Sequence, residues 1–224
     1  MLATETTAGA ATAGRVPGTS AVPATRVPEI HPRLLGALAG CAARARLSTA
    51  GLLLRVALRT AAMGGRLLRG QSPFRLRLKF LPLAALNRVL TARLDPAALR
   101  ASMEMVLRTA AAVETARQFR PVMADPRVAI IAAQYRKVHR GAGRYQKVRY
   151  ERDEPGCFQF AVTDCAFLRV LRELEIGELA TAMCEADVCF WTRVVAGRGI
   201  RFSKNEQTIA RGGDCCRSTF AEEE

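Results

Sequence analysis

The sequence predicts an α+β fold: an N-terminal helical layer packed on a small antiparallel sheet, with two further helices in the C-terminal half. Three observations predict it. Residues 32–143 carry apolar positions at helical spacing between helix-capping residues. From Arg144 onward the chain turns to short alternating apolar runs broken by Pro-Gly and Gly-Gly turns. Two amphipathic helical stretches lie between those two groups of strands.

Residues 1–31 are rich in Ala, Thr, Gly, Ser and Pro without an apolar period. They are expected to form a disordered leader, because they hold too little large apolar surface to offset ordering entropy. Residues 32–224 are expected to form a single α+β domain, with 32–143 mainly helical and 144–220 carrying the sheet. From Arg33 to about Leu68 the pattern is helical, with Ser48 or Thr49 able to cap a second helix. Arg55, Arg59, Arg66 and Arg69 would share one stripe of that helix if it survived Gly64-Gly65. Phe74, Leu76, Leu78 and Phe80 alternate with Arg75, Arg77 and Lys79 between Pro73 and Pro82. That alternation predicts a basic edge strand.

Asp95-Pro96 predicts a helix start, with Asp as N-cap and Pro at the first position. That helix should run to about Phe119 and be ended by Pro121, and Asp125-Pro126 should open the next, running to about Gly141. Tyr145 to Tyr150 and Cys157 to Val162 predict a hairpin around Asp153-Glu-Pro-Gly156. Helices are expected over Ala166 to about Ile176, stopped by Gly177, and over Glu178 to Ala196. Strands should follow at Ile200–Lys204, Gln207–Ala210 and Cys216–Phe220, with a turn at Gly212-Gly213.

The chain has 224 residues, half of them hydrophobic, and a net charge of +14. Residues 1–120 hold 18 basic and 5 acidic side chains, residues 121–224 hold 16 and 15. The basicity therefore belongs to the N-terminal half, and the C-terminal half carries six of the seven cysteines. Arg supplies all but four of the basic residues, a usage that also accompanies GC-rich coding. Without aromatic interleaving or a helix-turn-helix pattern, the charge does not predict nucleic-acid binding. It fits a protein partner for the Arg-rich half instead. No apolar run approaches a membrane span, and the start MLATETT shows no secretory pattern. A cytoplasmic protein with reduced thiols is expected.

Chemistry concentrates in the C-terminal half. Asp164-Cys165 sits at a strand end. Cys184, Asp187 and Trp191 share one face of a helix at ~100° per residue. Thr208 precedes the Gly-Gly turn, and Cys215-Cys216 follows it. Three readings of these residues stand open: buried structural cysteines, a zinc site whose spacing does not match paired knuckles, and a catalytic pocket. In the third, Asp187 beside apolar Trp191 would have a raised pKa suited to proton transfer. His139 falls in the basic run Arg136–Arg140 and reads as solvated, so a histidine-based triad is not expected. No cofactor motif is present, and no cofactor is expected.

Phe160-Ala-Val-Thr-Asp-Cys165, Cys184-Glu-Ala-Asp187, Ile200-Arg-Phe202, Gln207-Thr-Ile-Ala210 and Gly212-Gly-Asp-Cys-Cys216 resemble the L-2-amino-thiazoline-4-carboxylic acid hydrolase family over roughly residues 145–220. The resemblance implies water addition to a cyclic isothiourea in a small amino-acid-derived substrate, with cleavage of the ring C–S bond. It implies Asp187 as base, and Cys165, Cys184 and Cys216 as pocket-lining or proton-carrying thiols. Thr208 would hydrogen-bond substrate, Arg201 or Lys204 would pair with its carboxylate, and Trp191 would border the site. The chain departs from the family at Arg217-Ser218, where the family continues with Asp-Phe. Arg217 in the pocket would reverse a local charge and serve an anionic substrate or leaving group. The departure leaves two alternatives: a member repurposed for making or opening small heterocycles in a biosynthetic pathway, or a non-catalytic subunit of a heteromeric enzyme.

Overall fold

Side-chain caps at Ser48 and Asp95 set two of the helix starts. The computed structural model describes residues 30–65, 70–141 and 144–223. Helix α1 spans Ile30–Arg44 and α2 spans Thr49–Ala62. Ser48 divides them, its hydroxyl accepting from the Gly51 N–H. Of the leader expected over 1–31, only the last two residues fall within the described chain, and they open α1. Helix α2 ends before the two glycines. Arg66 and Arg69 lie outside the described residues.

The basic edge strand is not formed. Residues 74–80 begin helix α3, Phe74–Thr91, with Pro73 as its N-cap and Pro82 in its interior. The alternation is two interleaved i,i+4 pairs. Leu76 and Phe80 are buried, whereas Phe74 and Leu78 stay exposed. Arg77, which a strand would have turned to solvent, is buried. Helix α4, Pro96–Gln118, starts as expected, with Asp95 accepting from the N–H groups of Ala97 and Ala98. It ends at about Phe119, as expected, but Pro121 is not what stops it and lies inside the short α5, Arg120–Ala124. Helix α6 spans Val128–Arg140, capped at Arg127 rather than Asp125.

Strands β1, Lys147–Glu154, and β2, Cys157–Asp164, form a hairpin through Pro155-Gly156. Gly156 takes a left-handed φ of 76°, which glycine adopts without a Cβ penalty. Helix α7 spans Ala166–Glu173. Glu175, not Gly177, supplies the left-handed residue after it. A 3₁₀ turn over Gly177–Leu179 leads into α8, Ala180–Val195. Strand β3 is Ile200–Lys204 and β4 is Cys216–Glu222. Between them the expected strand at Gln207–Ala210 is instead a loop with a 3₁₀ turn, Ile209–Arg211. The sheet is antiparallel, in the order β1-β2-β4-β3. The whole is α+β.

Two cores divide the molecule. One joins α1, α2, α3, α4 and α7 through Cys41, Leu52, Leu81, Met103 and Leu171. The other fills the space between the sheet and α6 and α8, with Phe158, Phe220, Tyr135 and Trp191 at its centre. No helix among the described residues is long and apolar enough to cross a membrane.

His139 belongs to the edge of the second core, not to the solvent. Its Nδ1 lies 3.0 Å from the Tyr150 hydroxyl, and its ring packs on Tyr135 and Phe160. Burial lowers its pKa to about 4. The unfolded chain therefore takes up this proton first as pH falls, at about 6.5. Stability should decline progressively between about pH 6.5 and pH 4. Denaturant titrations across that window should show a smaller slope against pH in His139→Phe than in the native protein.

Candidate functional site

The sheet's pleat decides which predicted residues can meet. Along β4, Cys216, Ser218 and Phe220 point inward and are buried, and Arg217 and Thr219 alternate outward. The register pairs Val162 with Cys216 on β2, and Lys204 with Ser218 on β3. Lys204 and Cys216 thus share the inner face. Helix α8 lies over that face and offers Cys184 and Asp187 one turn apart.

The Lys204 ammonium meets the Asp187 carboxylate, Nζ to Oδ2, at 2.6 Å. Its side chain is 10% exposed, and that of Asp187 30%. Burial opposes charge on Lys204. Asp187 and the neighbouring Cys184 and Cys216 sulfurs outweigh it, so its pKa is raised and it stays an ammonium. Asp187 therefore sits in an ion pair, not in the apolar setting that Trp191 was expected to provide.

Cys184 and Cys216 lie close enough to shift each other's ionisation: the neighbouring Cys184 thiol lowers Cys216 to about 7 in spite of burial. The Ile209 N–H, 3.4 Å from the Cys216 sulfur, and Lys204 act in the same direction. Cys184 is correspondingly raised, by its Cys216 neighbour and by burial. Cys165, the N-cap of α7, is raised chiefly by burial and lies within electrostatic reach of Cys184. Of Cys165, Cys184, Cys189 and Cys216, which the structural reading takes as buried, Cys216 is buried, Cys165 and Cys184 are half-buried, and Cys189 is exposed. Among the described residues, no three His, Cys, Asp or Glu side chains are arranged to hold a metal ion.

Thr208 is 4% exposed, and its hydroxyl has no hydrogen-bond partner. It stands directly before Ile209, whose N–H reaches Cys216. The loop is held by Asn205, a residue not singled out in the sequence. Its amide donates to the Gln207 and Cys215 carbonyls and its oxygen accepts from the Arg217 N–H. An Asn leaving a strand is a recognised turn-former, which was the available signal. A Cβ at Gly213 would strike the Gln207 carbonyl, so the turn needs glycine there. Glu185 ties the 3₁₀ turn to α8 and α4, accepting from Arg211 at 3.0 Å and Arg108 at 2.6 Å.

Three expected members fall elsewhere. Arg201 is exposed on the outer face of β3. Arg217 is also outward and makes a two-point contact with Glu151, at 2.6 and 3.2 Å. Hydrogen bonds from Arg217 and Arg149 hold Glu151 down to about 2. The expected charge reversal inside the pocket is therefore not formed. Trp191 is fully buried and packs edge-on against Phe119 and Phe220. It belongs to the core beneath the site. An open cleft of about 350 Å³, lined by Arg59, Asn87, Arg88 and Leu174 among others, lies off the thiol cluster.

Fold and cluster together define an α+β protein in which two neighbouring thiols stand beside an ammonium–carboxylate pair. Residues 75–220 match the family described as L-2-amino-thiazoline-4-carboxylic acid hydrolase, and the chain belongs to that family. The match begins in α3, so it reaches well beyond the 145–220 stretch that carries the motifs. No curated protein and no solved structure gives a significant match.

Since Arg217 is held on the outer face by Glu151, away from the thiols, Arg217→Ala should leave the pH midpoint of Cys216 alkylation unchanged. Alkylating the two proteins across neutral pH would check this.

Proposed function

We propose that the protein hydrolyses a small amino-acid-derived thiazoline, opening its cyclic isothiourea at the ring C–S bond. The observation that carries this reading is the meeting of Cys184, Cys216, Lys204 and Asp187 on one inner face. Ring opening needs a base for water, a proton for the departing sulfur and a cation for the substrate carboxylate. Asp187 supplies the base and Cys184 the proton. Lys204 supplies the cation, shared between Asp187 and substrate. The Thr208 hydroxyl, buried without a partner, donates to the substrate's polar edge. A reducing compartment such as the cytoplasm suits the site, because its cysteines must remain thiols.

The alternative of a non-catalytic subunit drew on Arg217 in the pocket, and that side chain is engaged by Glu151 on the far face. A protein partner for the Arg-rich half would be an acidic surface. It would meet α2, where Leu54 and Leu58 are exposed beside Arg55 and Arg59.

The test is incubation of the protein with L-2-amino-thiazoline-4-carboxylate, with free thiol and N-carbamoyl-cysteine measured together. Equal, enzyme-dependent release of both is expected. Unchanged substrate after prolonged incubation would overturn the reading.

A further inference from the structure

We propose that Cys216 is the nucleophile of this site, and that ring opening passes through a covalent adduct on its sulfur. The inference rests on the hydrolytic reading above and assigns the attacking atom.

The surroundings of the sulfurs carry it. Cys41, a buried thiol of the first core, sits among apolar side chains and donates to the Ser102 carbonyl. Cys216 has the opposite setting: a donor, a second thiol and positive charge converge on its sulfur. The Ile209 N–H reaches it from the loop at 3.4 Å, the Cys184 thiol neighbours it from α8, and Lys204 stands on the neighbouring strand. A purely structural cysteine needs none of these. A thiolate held ready to attack needs all of them. The turn that delivers the Ile209 N–H is itself fixed by Asn205, Glu185 and the glycine at 213. Asp187, by contrast, already has one oxygen engaged by Lys204 at 2.6 Å. That engagement makes it a poorer first attacker's base than a ready thiolate, and leaves it to assist water afterwards.

The steps balance without oxidant or reductant. The Cys216 thiolate adds to the substrate carbon between nitrogen and sulfur. The ring C–S bond breaks, its electron pair leaves with the ring sulfur, and that sulfur takes the Cys184 proton. The opened substrate is then an S-substituted isothiourea on Cys216. Water, assisted by Asp187, adds to the same carbon and returns a proton to the Cys184 thiolate. The tetrahedral centre expels Cys216 as thiolate, and the hydroxyl proton moves to nitrogen to give the urea product. One water is consumed and both cysteines return to their starting states.

The experiment is acid quenching of the full-length protein during turnover of L-2-amino-thiazoline-4-carboxylate, followed by intact and peptide mass spectrometry. The expected result is a species heavier by one whole substrate molecule, mapped to Cys216 and lost in Cys216→Ser. Turnover without that species, with Cys216→Ser as active as native, would overturn the nucleophile and leave the hydrolytic reading standing. If the native protein fails to turn over, alkylation by iodoacetamide decides separately. Selective labelling of Cys216 with a midpoint near neutral pH would support the nucleophile while the substrate reading falls. Labelling no faster than at Cys189, with an ordinary thiol midpoint, would overturn it.

Discussion

Asp187→Ala is expected to abolish the proposed ring opening and to destabilise the protein by about 3 kcal/mol, toward the low end of what breaking a buried ion pair costs. The low end applies because the carboxylate is 30% exposed, although its partner ammonium is only 10% exposed. The loss comes from Lys204, left as a buried cation without its counter-charge. It follows that stability and catalysis separate. In Asp187→Ala/Lys204→Met no charge remains to be desolvated, so most of the stability should return. Activity should not, because both the base and the cation are gone. Denaturant unfolding and rate assays on the single and double variants would show this. A double variant as unstable as Asp187→Ala would contradict the assignment of the cost to Lys204.

Trp191→Ala is expected to cost about 3–5 kcal/mol, as deletion of a large buried aromatic does. Trp191 is fully buried between Phe119, Phe190 and Phe220. The cavity would open beneath α8, whose packing places Cys184 and Asp187 over the sheet. Trp191→Phe keeps part of the volume and should retain most of the stability, with turnover close to native at temperatures where it is folded. A large rise in KM in Trp191→Phe, without loss of stability, would return Trp191 to the substrate's border. Thermal unfolding with steady-state kinetics makes the distinction.

Elements with a local cause were legible in the sequence. Ser48 and Asp95-Pro96 cap the helices that their chemistry foretells, and Pro155-Gly156 makes the hairpin. The misreading at 74–80 has a physical origin too. Seven residues of alternation fit a strand, but they equally fit two i,i+4 pairs on a helix, one buried and one exposed. Only the first core, built by residues distant in sequence, selects between them. Pro82 reinforced the strand reading, since a helix interior seldom accepts proline.

The site was legible as residue types and spacing, less so as geometry. Cys184 and Asp187 on one face followed from helical period alone. Trp191 shares that face but stands two turns along, where the face has passed from the site into the aromatic core. For Arg217 the needed signal was present: a period of two from Cys216 turns it away from the thiols. The loop between β3 and β4 was not legible. Its form depends on the Asn205 hydrogen bonds and the close approach at Gly213, which no periodicity records.

The most direct test of a reactive thiolate at the centre of this site is the pH dependence of kcat/KM, which reports ionisations of the free enzyme. The rate on L-2-amino-thiazoline-4-carboxylate should rise as pH increases through about 7, as Cys216 loses its proton. Removing the neighbouring thiol in Cys184→Ala should lower the rate and move that inflection upward, toward an ordinary thiol. A profile flat across neutrality, or an inflection unmoved by Cys184→Ala, would contradict the account.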